Sequence, residues 1–219
     1  MSEVIIVTGA YGVGKSEFAS QLALLKAPCY LVDFDVINPY FRPREQTDWF
    51  AKQGVSVVGS LLKHHINQEF PAISGELRGL VSAQHRVIVD VAGSENGLKP
   101  LASFMDVLQD AQVWFVVNFF RPESTEELIA PMIELFEQRS HLNISGLVCN
   151  THLLDETTLE DVALAQRTCE QLSIKLSIPI KYTMMHTSFA TQLQDHIQNP
   201  ILAFDRLILR EEWMKGEYR

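Results

Sequence analysis

Residues 4–16 read Val4-Ile5-Ile6-Val7-Thr8-Gly9-Ala10-Tyr11-Gly12-Val13-Gly14-Lys15-Ser16. An apolar, β-branched run passes directly into G-x-x-x-x-G-K-[ST], and helical spacing resumes from Lys15 to Lys26. The motif therefore stands between strand and helix, the context its chemistry needs. Its glycines let the backbone take positive φ and turn successive N–H groups inward as an anion nest, while the N-terminus of the following helix adds partial positive charge. On this reading Gly9, Ala10, Tyr11, Gly12, Val13, Gly14, Lys15 and Ser16, with Glu17 next along the helix, form a nucleotide phosphate site. Lys15 would reach the β and γ phosphates, and the Ser16 hydroxyl would ligate Mg²⁺. A chance match to the four fixed positions is expected in roughly 1% of chains or fewer.

Working outward, short β-branched runs recur at Tyr30–Asp33, Val55–Val58, Val87–Asp90, Val113–Asn118, Ile144–Asn150 and Ile178–Thr183. Helical patterns alternate with them at Arg44–Gln53, Gly75–Gln84, Pro100–Asp110, Glu123–Arg139, Thr158–Leu172 and Pro200–Trp213. Near-continuous apolar strands suit a sheet covered on both faces, and strand–helix alternation implies parallel pairing through right-handed crossovers. The expected fold is a three-layer, doubly wound α/β domain with a mostly parallel, seven-stranded sheet, of the P-loop NTPase kind, spanning residues 1–219. The last helix, with Ile201, Leu202, Phe204, Leu207, Ile208 and Trp213 on one side, is expected to dock on that sheet.

Composition narrows the function. Hydrophobic residues make up 47% of the 219 residues and charged ones 21%, as in ordinary globular chains. The net charge of −9 opposes contact with a phosphate backbone or an anionic lipid surface, so neither nucleic acid nor membrane is expected as a partner. Three widely spaced cysteines, Cys29, Cys149 and Cys169, make neither a disulfide framework nor a cysteine zinc site. The first residues lack a basic stretch, and their apolar run is too short for a secretion signal, so the expected location is the cytoplasm.

Two acidic positions extend the phosphate site. The run Val87-Ile88-Val89-Asp90 closes on a carboxylate and is followed by Val91-Ala92-Gly93. That order suits a metal-holding Asp90 and a Gly93 whose N–H faces the γ-phosphate. Asp33 and Asp35 lie on one side of the second strand by period-2 alternation. Asp33 reads equally as a strand-end hydrogen-bond acceptor or a site residue; Asp35, further out, is expected to orient the attacking water and assist the metal. The segment Asn38–Arg44, with its prolines, Tyr40, Phe41, Arg42 and Arg44, is either a loop that responds to the γ-phosphate or one packed permanently on the domain. His64 and His65, inside the long 59–74 connection, read as solvated rather than ligating.

Taken together, Gly9–Ser16, Val32-Asp33-Phe34-Asp35-Val36, Asp90-Val91-Ala92-Gly93 and Gly146-Leu147-Val148-Cys149-Asn150 resemble, in order and spacing, the MinD/ParA/CobQ-type P-loop ATPases of the SIMIBI class. The likeness covers about residues 1–150. It implies that Asp35 lies in switch I and serves hydrolysis, and that Asn150 contacts adenine. One departure stands out: members of the MinD type carry a signature lysine directly after the first loop glycine, where this chain has Ala10. The residue that would reach across a nucleotide-sandwich dimer is thus missing. That leaves a homodimer open, with Arg42 or Arg44 as substitutes for the lost cation.

The base follows from Asn150-Thr151-His152-Leu153, where the N-K-x-D pattern that pairs with guanine would need an Asp in place of Leu153. Adenine makes no such demand, which favours ATP, although Asp155 lies only two residues further on. The sequence thus leads to an ATP- and ADP-binding, Mg²⁺-dependent ATPase of low turnover, with Lys15 and Asp35 in catalysis and Ser16, Asp35 and Asp90 at the metal. It would act as a switch toward a protein partner through segments 35–45 and 91–97. The alternatives are a small-molecule kinase or ATP-dependent ligase resembling dethiobiotin synthetase, and a binding module that does not hydrolyse.

Overall fold

The computed structural model describes residues 3–34, 43–59, 75–93 and 98–209. Among these residues eight strands form one sheet: β1 (Val4–Gly9), β2 (Cys29–Asp33), β3 (Val55–Val58), β4 (Val87–Asp90), β5 (Gln112–Val117), β6 (Gly146–Cys149), β7 (Ile180–His186) and β8 (Ile201–Phe204). Their order is β3-β2-β4-β1-β5-β6-β7-β8, and every neighbouring pair is parallel. All carboxyl ends therefore meet at one edge. The chain winds from β1 toward β3 on one side and from β5 toward β8 on the other, which puts the switch in winding direction at β1.

The helices are α1 (Lys15–Leu25), α2 (Thr47–Lys52), α3 (75–82), α4 (Met105–Leu108), α5 (Glu126–Ser140), α6 (Leu159–Leu176) and α7 (Thr187–Leu193). Alternation along each strand sorts its side chains into two apolar layers. Val4, Ile6, Val87, Val89, Val113 and Phe115 pack with Leu77 and Leu80 of α3, Ile129, Ile133 and Phe136 of α5, and Cys169 and Leu172 of α6. Ile5, Val7, Ile88, Trp114 and Val116 face the other way, onto Phe18 and Leu22 of α1 and Phe50 of α2. Each fully buried aliphatic side chain contributes about 1.5–3 kcal/mol of transfer free energy. None of the described helices is long and apolar enough to cross a membrane.

Two expectations need correction. Among the described residues the sheet has eight strands, all parallel, rather than seven. The extra one, β8, occupies the start of the expected helix 200–213. Within it Leu202 and Phe204 are buried while Ala203 is exposed, a period of two. Ile201, Leu202 and Phe204 satisfy strand and helix periods alike over so short a run, and the open edge of β7 decides the matter by supplying a backbone ladder. The expected helix at 100–110 is a 3₁₀ segment, Lys99–Phe104, that widens into only one α-helical turn, α4. By contrast, Val55–Val58 and Val87–Asp90 lie where their patterns put them.

Leu22 is fully buried between α1 and the sheet, whereas Ile174 on α6 is 80% exposed although its residue type is equally apolar. Leu22→Ala should lower unfolding free energy by about 2–5 kcal/mol in urea denaturation, and Ile174→Ala should stay within about 0.5 kcal/mol.

Candidate phosphate and nucleotide site

Gly9 ends β1 opposite Val116 of β5, and a Cβ on Gly9 would overlap the Val116 carbonyl oxygen. On the other side, a Cβ on Gly93 would overlap the carbonyl oxygen of Gly9. Only glycine permits three main chains to approach this closely. Gly12 (φ 75°) and Gly14 (φ 87°) then take left-handed conformations that turn the loop back, and Gly14 stands at the N-cap of α1. Gly14 has no side chain with which to cap that end, which leaves the first-turn N–H groups with capacity for an anion among the described residues.

Lys15 is buried, and its Nζ donates to the Ala10 carbonyl at 2.8 Å, laying the ammonium along the loop it belongs to. Ser16 is half-buried beside it, and Tyr11 stands 73% exposed at the crest. Glu17, expected with the loop, turns elsewhere: its two oxygens accept from the amides of Ile208 (2.7 Å) and Leu209 (2.9 Å).

The two carboxylates at the strand ends are register partners. Asp33 of β2 lies opposite Asp90 of β4, both buried, and the Phe34 amide donates to the Asp90 carbonyl at 2.9 Å. Burial of like charges side by side is costly without cations nearby. Arg44 supplies one, its Nε 3.6 Å from Asp33 Oδ2. Asp33 is thereby a partner of the segment that follows residues 35–42. Asp35, Arg42 and most of the 35–45 segment lie outside the described residues, as do 94–97 and the pair His64 and His65.

Asn150 follows β6 and is fully buried. Its Nδ2 donates to the Val13 carbonyl at 2.8 Å, and a Cβ on Gly14 would overlap that nitrogen, so the side chain braces the second half of the loop. The remaining polar atom, Oδ1, is buried with no hydrogen-bond partner among the described residues. Just before it, the buried Cys149 thiol donates to the Ala165 carbonyl at 3.8 Å, and its closeness to Cys169, together with burial, pushes the Cys169 thiol up.

Beyond Asn150 a cavity of about 220 Å³ opens at the carboxyl ends of β6, β7 and β8, lined by Thr151, His152, Asp155, His186, Ser188, Phe189 and Phe204 among others. The Leu154 amide donates to His152 Nδ1 (3.2 Å) and the Ser188 amide to His186 Nδ1 (3.3 Å). In the neutral rings the proton therefore sits on Nε2. His186 and Phe204 meet edge to face at 5.8 Å between centroids. Sequence reading missed this wall because it ended the seventh strand at Thr183 and assigned Phe204 to a helix. The available signal was His186-Thr187-Ser188, a helix start directly after an apolar run at the same edge.

The donor set would suit a hard divalent cation, since the Ser16 hydroxyl and the Asp90 carboxylate offer oxygen atoms. Among the described residues no three His, Cys, Asp or Glu side chains gather as a cage. A Mg²⁺ ion here would complete its shell from phosphate and water, its usual habit.

No protein-family model matches the chain, and no curated protein matches it in sequence. By structure it is similar to chloroplast FtsY from Physcomitrella patens, at 18% identity and a TM-score of 0.55 over 84% of this chain and 58% of that one. The signal recognition particle receptor FtsY from Elizabethkingia anophelis, in complex with GDP, gives 20% and 0.53 over 84% and 57%. MinD from Aquifex aeolicus gives 17% and 0.49 over 91% and 88%. The chain thus spans 57–58% of the length of these two FtsY structures. The shared feature is the fold, a parallel α/β sheet with helices on both faces.

Gly14 and Gly12 separate strain from crowding. Gly14→Ala meets both a left-handed φ and the Asn150 amide, whereas Gly12→Ala meets the φ alone, with open space around it. Thermal denaturation should show Gly14→Ala losing about 2–4 kcal/mol and Gly12→Ala about 1 kcal/mol.

Proposed function

We propose that this chain is a Mg²⁺-dependent ATP-binding protein, one domain over residues 1–219, that hydrolyses ATP slowly and acts as a nucleotide-dependent switch for a protein partner. The observation that carries this reading is the Gly9–Ser16 turn: left-handed glycines, an N-terminal helix end without a side-chain cap, and a buried lysine held along the turn. Such a turn presents main-chain donors and one ammonium to a triphosphate, and in a site screened from water those charges stabilise the transferring phosphoryl group without reorganising.

Each residue has a stated part. The amides from Ala10 to Ser16 and the Lys15 ammonium grip the β and γ phosphates; Gly93 offers its N–H to the γ-phosphate; Ser16 and Asp90 hold the metal, Asp90 directly or through water. Mg²⁺ would supply neutralisation of phosphate charge. Asp35 orients the attacking water and assists at the metal. Segments 35–45 and 91–97 report the γ-phosphate to the partner. Ser16, Asp35 and Asp90 thus serve the cation, and Lys15 and Asp35 the bond that breaks.

Adenine is favoured by Asn150. One hydrogen of Nδ2 is committed to Val13, and the side chain's carbonyl oxygen is an acceptor that suits an amino donor such as adenine N6. Asp155 on the cavity wall favours a second reading, in which a carboxylate accepts from guanine N1–H and its amino group.

Titration calorimetry with ATP, ADP and GTP, with and without Mg²⁺, tests the proposal. ATP should bind more tightly than GTP; the reverse order would transfer the base preference to guanine. Lys15→Ala should weaken triphosphate binding by about two orders of magnitude, and Asp90→Asn should raise the Mg²⁺ concentration needed for tight binding. Triphosphate affinity unaltered in Lys15→Ala would defeat the proposal.

A further inference from the structure

Glu17 lies one residue beyond Ser16, on the first turn of α1, and is buried. Its carboxylate takes the amides of two successive residues far away in sequence, Ile208 on Oε1 and Leu209 on Oε2. One turn along α1, Gln21 Nε2 donates both to Glu17 Oε1 and to the Arg206 carbonyl, each at 2.9 Å. From the other side, Gln46 Nε2 donates to the Ile208 carbonyl at 2.8 Å, and the Arg206 guanidinium sits 5.8 Å from the ring centre of Trp49 on α2. Leu207, Ile208 and Leu209 are themselves buried in the apolar layer that holds Phe18, Leu22 and Phe50.

Residue 208 is therefore bound twice in opposite senses, its N–H by the phosphate-loop helix and its carbonyl by the segment that re-enters after residues 35–42. The anchors are close to the site in sequence as well: Glu17 follows Ser16, and Gln46 comes two residues after Arg44, the partner of Asp33. A peptide unit does not stretch, and hydrogen bonds to a carboxylate are about twice as strong as neutral ones. A shift of the first turn of α1 therefore reaches Gln46 and Trp49 directly.

We propose that residues 205–209 form a strap coupling the phosphate loop to α2, with Glu17 as the positioning residue that holds it, so that triphosphate at Lys15 and Ser16 is registered at Trp49; the inference rests on the reading of Gly9–Ser16 as a nucleotide site. Sensing of the γ-phosphate then does not depend only on the segments that touch it. The strap supplies a second route, through the C-terminal end of the described chain.

The chain has three tryptophans, so Trp114→Phe and Trp213→Phe leave Trp49 as sole reporter. The indole N–H of Trp114 is buried without a hydrogen-bond partner among the described residues, and Phe removes that donor. Trp49 emission is compared at saturating ATP·Mg²⁺ and ADP·Mg²⁺, with occupancy measured by calorimetry on the same samples. The expected result is an ATP–ADP difference in this background that becomes at least about fivefold smaller in Glu17→Gln, where an amide NH₂ faces one of the two main-chain N–H groups. Gln46→Ala, at the other anchor, should have the same effect and carries the test should Glu17→Gln fail to fold. A difference that persists at full size in both variants overturns the strap, as does saturation without any difference in the parent. Failure of the parent to bind either nucleotide overturns the nucleotide reading itself, and the strap's role with it.

Discussion

Three main chains meet at Gly9 with no room for a side chain between them. The carbonyl of Val116 limits one face of the residue, and Gly93 presses on its own carbonyl from the other. This contact sets where the phosphate loop leaves the sheet, how far the turn after β4 stands from it, and that the β4 carboxylate ends beside it. It also makes the site rigid on the side where rigidity matters. Backbone held by its neighbours on both flanks cannot rearrange to meet an anion, so its amides are oriented before any ligand arrives, the condition under which dipoles stabilise charge most effectively.

Much of this was legible in the chain because the informative signals are local. The strand-to-helix motif, the apolar run that closes on Asp90 and the alternation that carries Asp33 each depend on residues within a few positions. The strands in the middle of the sheet, covered on both faces, read as near-continuous β-branched runs. Signals failed where the deciding partner is distant. Ile201–Phe204 becomes strand because β7 offers an edge, and nothing in those residues announces it. Glu17 looked like part of the loop, since its partners lie 191 and 192 residues away. The cavity wall was missed for the same reason: His152, His186 and Phe204 come from three separate strand ends that only the sheet order makes neighbours.

The charges at the carboxyl edge form two complementary sets. On one side are the loop amides, the α1 N-terminus and Lys15, all positive; on the other are Asp33 and Asp90 at adjacent register positions. Neither set would be stable buried alone, because desolvation penalises each charge by several kcal/mol. Within the described chain they are partly reconciled by internal contacts, Lys15 on the Ala10 carbonyl and Arg44 on Asp33. Such contacts hold the edge in shape.

The departure at Ala10 gains a physical meaning in this setting. Ala10 is 1% exposed, its side chain belongs to the apolar layer with Val13, Phe18 and Leu22, and its carbonyl receives the Lys15 ammonium. A long cationic side chain there would have to leave that packing and would bring a second positive charge against Lys15. The substitution is therefore built into the loop's own packing rather than being a gap in an otherwise unchanged surface. What this loop turns outward is Tyr11, neutral and 73% exposed. A second copy meeting the mouth of the site would find an aromatic ring there, and any cation reaching across would have to come from another element.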